Sequence, residues 1–175
     1  TYSVIVTDGN GCTSESSTVE VTFVPVPTPQ ITVEGSLNLC SGETTVLTAS
    51  GGTSYVWSTG ATTNSITVST AGNYTVTAFN GTCEATSTSV TVTVTETPTP
   101  QITVEGALNL CSGETTVLIA GGGTSYLWSN GSTGSSISNI TSSGTYTVTV
   151  TDGNGCKNTS SPTTSTASSP PSGAT

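Results

Sequence analysis

Five cysteines, Cys12, Cys40, Cys83, Cys111 and Cys156, are the residues of this chain best equipped for chemistry. A thiol can ligate a metal, attack a substrate or close a disulfide. No Cys-x-x-Cys occurs and the chain has no His, so the usual zinc-site spacings are missing. Nucleophilic catalysis needs a base within reach. The chain has a single Lys and no Arg, which leaves carboxylates for that role. Glu34, Glu43, Glu105 and Glu114 recur in matched surroundings, as residues with a structural duty in each repeat would. No acid–base constellation can be assembled, so the chain is read as non-enzymatic, without cofactor or metal. What remains for the thiols is disulfide formation in an oxidising compartment. An odd count leaves Cys12 to pair outside the chain.

Other residues carry weaker signals. Asp8-Gly-Asn-Gly11 and Asp152-Gly-Asn-Gly155 resemble fragments of calcium loops. Calcium wants six to eight oxygens, several from carboxylates, and each stretch holds one; a hairpin turn demands the same residues. Asn-x-Ser/Thr occurs at Asn73, Asn80, Asn130, Asn139 and Asn158, as chance would often produce in so Ser/Thr-rich a chain. Residues 157–175 are rich in Ser, Thr and Pro. They read as an O-glycosylated stalk, with Thr163, Thr164 and Thr166 as candidate acceptors.

The background composition narrows the elements that position these residues. Ser and Thr supply roughly two residues in five, well above ordinary usage. Thr and Val favour strands because a branched Cβ packs well on a pleated surface. Good helix formers are scarce. Ser89-Val-Thr-Val-Thr-Val94 and Tyr146-Thr-Val-Thr-Val150 alternate apolar with polar, the mark of half-buried strands. The formal charge of −9 repels phosphate backbones, and Lys157 alone cannot neutralise one. No nucleic-acid partner is expected. No apolar run is long enough to span a bilayer, and no membrane insertion is expected.

Self-similarity is the strongest pattern. Pro27 to Gly35 recurs as Pro98 to Gly106, and Leu37 to Leu47 recurs as Leu108 to Leu118. Cys111 follows Cys40, and Trp128 follows Trp57, by the same 71 positions. Thr1 to Cys12 matches Thr145 to Cys156, and the corresponding stretch between them, Asn73 to Cys83, is one residue shorter. Residues 1–24 therefore read as the last two strands of a repeat whose beginning is absent. Residues 25–97 read as a complete repeat. Residues 98–156 read as a repeat without a clear last strand, and 157–175 as a tail or linker. Pro-Thr-Pro at 27–29 and 98–100 reads as a short, semi-rigid connector. Within the complete repeat, strands are expected over 30–34, 44–49, 53–58, 65–69, 73–79 and 87–95. Gly-rich turns punctuate them. Six or seven short strands at this spacing read as a sandwich. The expected fold is all-β, in tandem immunoglobulin-like repeats.

Three stretches carry a family resemblance: Cys-Ser-Gly-Glu-Thr-Thr-Val-Leu, Tyr-x-Trp-Ser, and Gly-x-Tyr-Thr-Val-Thr followed by Asn-Gly-Cys or Gly-Thr-Cys. In these, residues 1–156 resemble the Ig-like and PKD-like repeats of secreted adhesins and cell-surface proteins of Bacteroidota-type bacteria. The resemblance implies extracellular or cell-surface, rod-forming, non-catalytic modules. Trp57 and Trp128 take the place of the core Trp of an Ig-like sandwich, although an exposed Trp could also stack on sugar. Tyr74 and Tyr146 resemble tyrosine corners. Ala49, Val76, Ala120 and Val148 stand where an antibody domain has its inter-sheet cysteines, so that disulfide is absent.

The resemblance pairs cysteines within a repeat, Cys40 with Cys83 and Cys111 with Cys156. Sandwich topology opposes it, because the two turns involved normally lie at opposite poles, roughly 20 Å apart, while a disulfide needs Cα atoms within about 7 Å. Head-to-tail stacking favours Cys40 with Cys156. The route of residues 36–43 leaves both schemes open, with pairing inside a repeat slightly ahead. Expected partners are copies of the chain or flanking repeats, through inter-repeat disulfides or strand addition of 17–24 into a groove left by the missing last strand. Covalent glycans are also expected. The leading functional expectation is a structural module of an extracellular filament, stalk or adhesin. The alternatives are a carbohydrate- or surface-binding module, or a spacer in a larger secreted protein.

Overall fold

The structure, a computed structural model, describes residues 1–169. Every helix or strand among the described residues is a β-strand. The chain forms two compact units. One holds Thr1–Ser36, Thr45–Val68 and Gly72–Val92; the other holds Leu37–Thr44, Ser69–Ala71 and the chain from Thr93 onward. The division does not follow the repeat boundary: Leu37–Thr44, Ser69–Ala71 and the end of the middle repeat from Thr93 belong to the unit that contains the last repeat.

In the first unit, β1 (Ile5–Thr7) and β2 (Thr13–Glu15) form an antiparallel hairpin, extended by a bridge between Tyr2 and Val19. The middle repeat follows with β3 (Gln30–Glu34), β4 (Asn38–Cys40), β5 (Thr45–Ser50), β6 (Ser54–Trp57) and β7 (Ser65–Val68). It ends with β8 (Gly72–Tyr74), β9 (Val76–Asn80), β10 (Cys83–Thr86) and β11 (Val90–Thr95). Strands β3, β5 and β7 pair side by side, and so do β6, β9 and β10. Alternation sends Leu47 and Ala49 of the first sheet, and Trp57, Val76 and Ala78 of the second, into a common buried core with Val68, Tyr74 and Val92. Strand β11 pairs antiparallel with β8 over Val90–Val92. Its distal half, Thr93–Thr95, lies in the second unit and pairs in parallel with β4.

The second unit repeats the plan with β12 (Gln101–Glu105), β13 (Asn109–Leu110), β14 (Thr116–Gly121), β15 (Ser125–Trp128) and β16 (Ser136–Ile140). Then come β17 (Gly144–Tyr146), β18 (Val148–Thr151), β19 (Lys157–Thr159) and β20 (Thr163–Ala167). Leu118, Trp128, Ile137, Val148 and Val150 form its core, with Tyr146 packed against it. Two facing antiparallel sheets, with a short strand returning in parallel onto the last strand, define an immunoglobulin-like sandwich. No inter-sheet disulfide is needed where Ala49 and Val76 fill that space in one repeat and Ala120 and Val148 in the other.

Three expectations need correcting. The last repeat does have its last strand. Strand β19 pairs with β18, and β20 pairs with β17 and β13. Its inward position is Ser165, 1% exposed, where the middle repeat has Val92. The Ser165 hydroxyl donates to the carbonyl of Ser142 at 2.9 Å. A satisfied inward serine breaks the apolar alternation without breaking the strand, so the pattern was invisible in sequence. Residues 157–167 are therefore not a tail, and no vacant last-strand groove awaits residues 17–24. Residues 170–175 of the expected tail lie outside the described residues.

The second correction concerns the last two strands of the repeat. The expected strand 73–79 is split into β8 and β9, and ahead of the expected 87–95 the chain adds β10, with β11 starting only at Val90. At the break the Ser87 hydroxyl accepts the Val76 N–H at 3.1 Å, taking the place of a ladder carbonyl. Ser160 does the same for Val148, and Ser16 for Val4. Third, no strand is expected between 34 and 44, and β4 lies there.

The Pro-Thr-Pro segments dock on their own repeats. The Thr28 N–H donates to the Gly51 carbonyl at 3.1 Å, and Pro27 and Pro98 are buried. Gly51 and Gly122 have φ of 90° and 98°, and a Cβ on either would fall 2.0 or 2.2 Å from the carbonyl oxygen of Thr28 or Thr99.

Candidate functional site

The feature with chemical consequence is a disulfide between Cys40 and Cys156, within the second unit. Its Cα atoms are 5.6 Å apart, inside the range a disulfide accepts. Both ends are held by local structure. Cys40 ends β4, where register sets it opposite Thr95 and the Ser41 N–H donates to the Thr95 carbonyl at 2.8 Å. The turn that follows is closed by Glu43, whose carboxylate accepts the Cys40 N–H at 2.9 Å while its own N–H donates to the Cys40 carbonyl. Gly42, with φ of 92°, supplies the left-handed residue this turn requires. Cys111 and Glu114 form the same closed turn. The repeated glutamates at these positions thus fix the cysteine backbone.

Cys156 closes the turn between β18 and β19 and is 2% exposed. Asp152 Oδ1 accepts the N–H groups of Asn154 and Cys156 at 2.8 and 2.9 Å. Asp8 holds Asn10 and Cys12 the same way. In both stretches the aspartate organises a turn, the role its residue types allow without calcium. Among the described residues no group of three His, Cys, Asp or Glu gathers as a metal site would require. A cleft lined by Asn38, Leu39, Thr93, Thr95 and Asn154 borders the disulfide, and the lining is polar apart from Leu39.

This bond overturns the scheme favoured by the resemblance. Cys40 is not joined to Cys83, nor Cys111 to Cys156; Cys12, Cys83 and Cys111 are free. The physical reason is β4. By pairing in parallel with Thr93–Thr95, it sets Cys40 in the second unit with Cys156, whereas Cys83 starts β10 in the first. Head-to-tail stacking allows this pairing, but β4 is not legible in the sequence, because three residues show no periodicity. The matched Cys-Ser-Gly-Glu turns were its only trace.

The remaining candidates lie as follows. Trp57 and Trp128 are each 2% exposed, and their indole N–H groups donate to the carbonyls of Thr63 and Gly134. Tyr74 is buried and Tyr146 partly so. Asn73, Asn130, Asn139 and Asn158 are exposed, Asn80 half-buried. The amides of Asn80 and Asn158 donate to the carbonyls of Pro25 and Pro98. Thr164 and Thr166 are exposed and Thr163 half-buried, all on ordered β20 rather than on a stalk.

No family model matches the chain, and no curated protein matches it either. Among solved structures, a mouse coronavirus receptor-binding domain complexed with its murine receptor aligns over 79% of this chain and 100% of the other, at 12% identity and a TM-score of 0.43. Murine CEACAM1b aligns over 79% and 100%, at 13% identity and a TM-score of 0.40. The amphioxus IgVJ-C2 molecule aligns over 74% and 99%, at 15% identity and a TM-score of 0.36. Strand order and register within each repeat, rather than these likenesses, define the fold.

Proposed function

We propose that this chain is a structural stretch of an extracellular or surface-displayed filament, stalk or adhesin, in which disulfides join each immunoglobulin-like repeat to the next. The observation that carries the reading is the Cys40–Cys156 bond, from the turn after β4 in one repeat to the turn between β18 and β19 in the next. A bond between repeats of matched sequence can recur along an array. A bond inside a repeat would stabilise only that repeat. Disulfides persist in oxidising compartments, which favours a secreted or surface location. The repeat type fits Bacteroidota-type secreted proteins through the residues that carry the resemblance.

The module is read as non-catalytic, because the carboxylates of Glu43, Glu114, Asp8 and Asp152 are engaged in holding turns. A sugar-binding reading would need an exposed aromatic platform, and Trp57 and Trp128 are buried in the cores. Glycans, where attached, belong on outward residues such as Asn73 or Thr164, and the intact mass of native material before and after deglycosylation tests for them. Electron microscopy of native material with and without reductant tests the main reading. Extended rods that become flexible on reduction are expected; particles that stay flexible in both states would contradict it.

A further inference from the structure

Cys83 has no partner in this chain, yet it occupies the repeat position of Cys156, which does. We propose that Cys83 is the receiving half of a second disulfide of the same kind. The other half is a cysteine on a short Leu-x-Leu-Cys strand, carried by a further repeat of this type and lying parallel to Thr22–Val24. The inference rests on the proposed function, naming residues and partner for one more junction.

Two observations within the first unit carry it. The first is the surroundings of Cys83. Its thiol lies 3.7 Å from the carbonyl oxygen of Val24. Val24 matches Thr95 in the repeat, as Val19 matches Val90 and Val21 matches Val92. Thr95 is the register partner of Cys40. A strand pairing with Thr22–Val24 as β4 pairs with Thr93–Thr95 would therefore bring its cysteine to the place where Cys83 waits.

The second is the hairpin itself. Val4, Val6 and Val21 are 63, 63 and 70% exposed. Their repeat counterparts Val76, Ala78 and Val92 are 0, 0 and 1% exposed. The hairpin thus has the inward face of a sandwich half, and the chemistry that fits it is the complementary half of such a repeat. That half includes the short strand that bears the cysteine. Cys111 is the converse case: it matches Cys40 and calls for a turn cysteine of the Cys156 kind.

Bond formation takes one proton and one electron from each of the two thiols. The acceptor is a disulfide oxidant, such as an oxidised thiol–disulfide oxidoreductase, which leaves as a dithiol. Free thiols in native material are alkylated before any reduction, and the chain is cut after glutamate. Cys83 then falls on residues 44–84, alone among the cysteines. The expected result is a disulfide from that peptide to one that ends in Cys-Ser-Gly-Glu or a close variant and is neither 35–43 nor 106–114. Alkylated Cys83, or Cys83 bonded to Cys12, would overturn the proposal. The Cys40–Cys156 link is read in the same map, so its loss would count against the proposed function and its presence with free Cys83 against this inference alone. A second measurement joins a copy of residues 27–72 ahead of Thr1, which matches Asn73. The copied cysteine should bond Cys83 and should stay free in the Cys83→Ser variant. Its bonding to Cys12 instead would contradict the rule.

Discussion

A cysteine is placed by its backbone before it is bonded. The Glu43 carboxylate holds the Cys40 N–H, and the Asp152 carboxylate holds the Cys156 N–H. Glu43→Ala leaves the Cys40 N–H without that acceptor and should cost about 1 kcal/mol, the usual net contribution of a hydrogen bond in an exposed turn. Chemical denaturation of the oxidised chain measures it. Cys40→Ser should cost about 2–4 kcal/mol, because the bond closes a long loop and constrains the unfolded chain. It should also speed hydrogen exchange at Leu37–Thr44 more than in the core strands. Equal exchange in both forms would mean that the disulfide does not hold β4. The position of Cys40 is legible in sequence as a repeated Cys-Ser-Gly-Glu turn. Its partner is not, because pairing depends on where a three-residue strand runs.

At the scale of elements, alternation made most strands legible. Gln30–Glu34 falls where the pattern places it, and Thr45–Ser50 is offset by one residue from the expected 44–49. Two kinds of element escaped. Short β4 and β13 carry too few residues to show a period. Strand β20 has serine at its inward position, which removes the apolar signal while the hydroxyl still finds a carbonyl acceptor. Amides across Thr163–Ala167 should exchange slowly, as ladder amides do; exchange as fast as in a free tail would contradict the strand. The linker sets another constraint. Gly122→Ala puts a Cβ 2.2 Å from the Thr99 carbonyl oxygen at a positive φ, a backbone strain of order 1–3 kcal/mol. A thermal or denaturant midpoint unchanged by this substitution would show that the Pro-Thr-Pro segment does not dock.

For the whole molecule, composition and repetition established the class early. Few charges, abundant Ser and Thr, and recurring Trp and Tyr already indicated a string of small sandwiches, and both repeats fold that way. The bond between them came from the geometry of one strand. If Cys40 pairs with Cys156, successive repeats are joined covalently and the array can act as one long element. If it pairs with Cys83, each repeat stands alone. Cleavage after glutamate decides between these, because it leaves the five cysteines on five separate peptides. In the oxidised, unreduced chain, residues 35–43 should be found bonded to residues 115–175. Residues 35–43 bonded to 44–84, with 106–114 bonded to 115–175, would contradict the account.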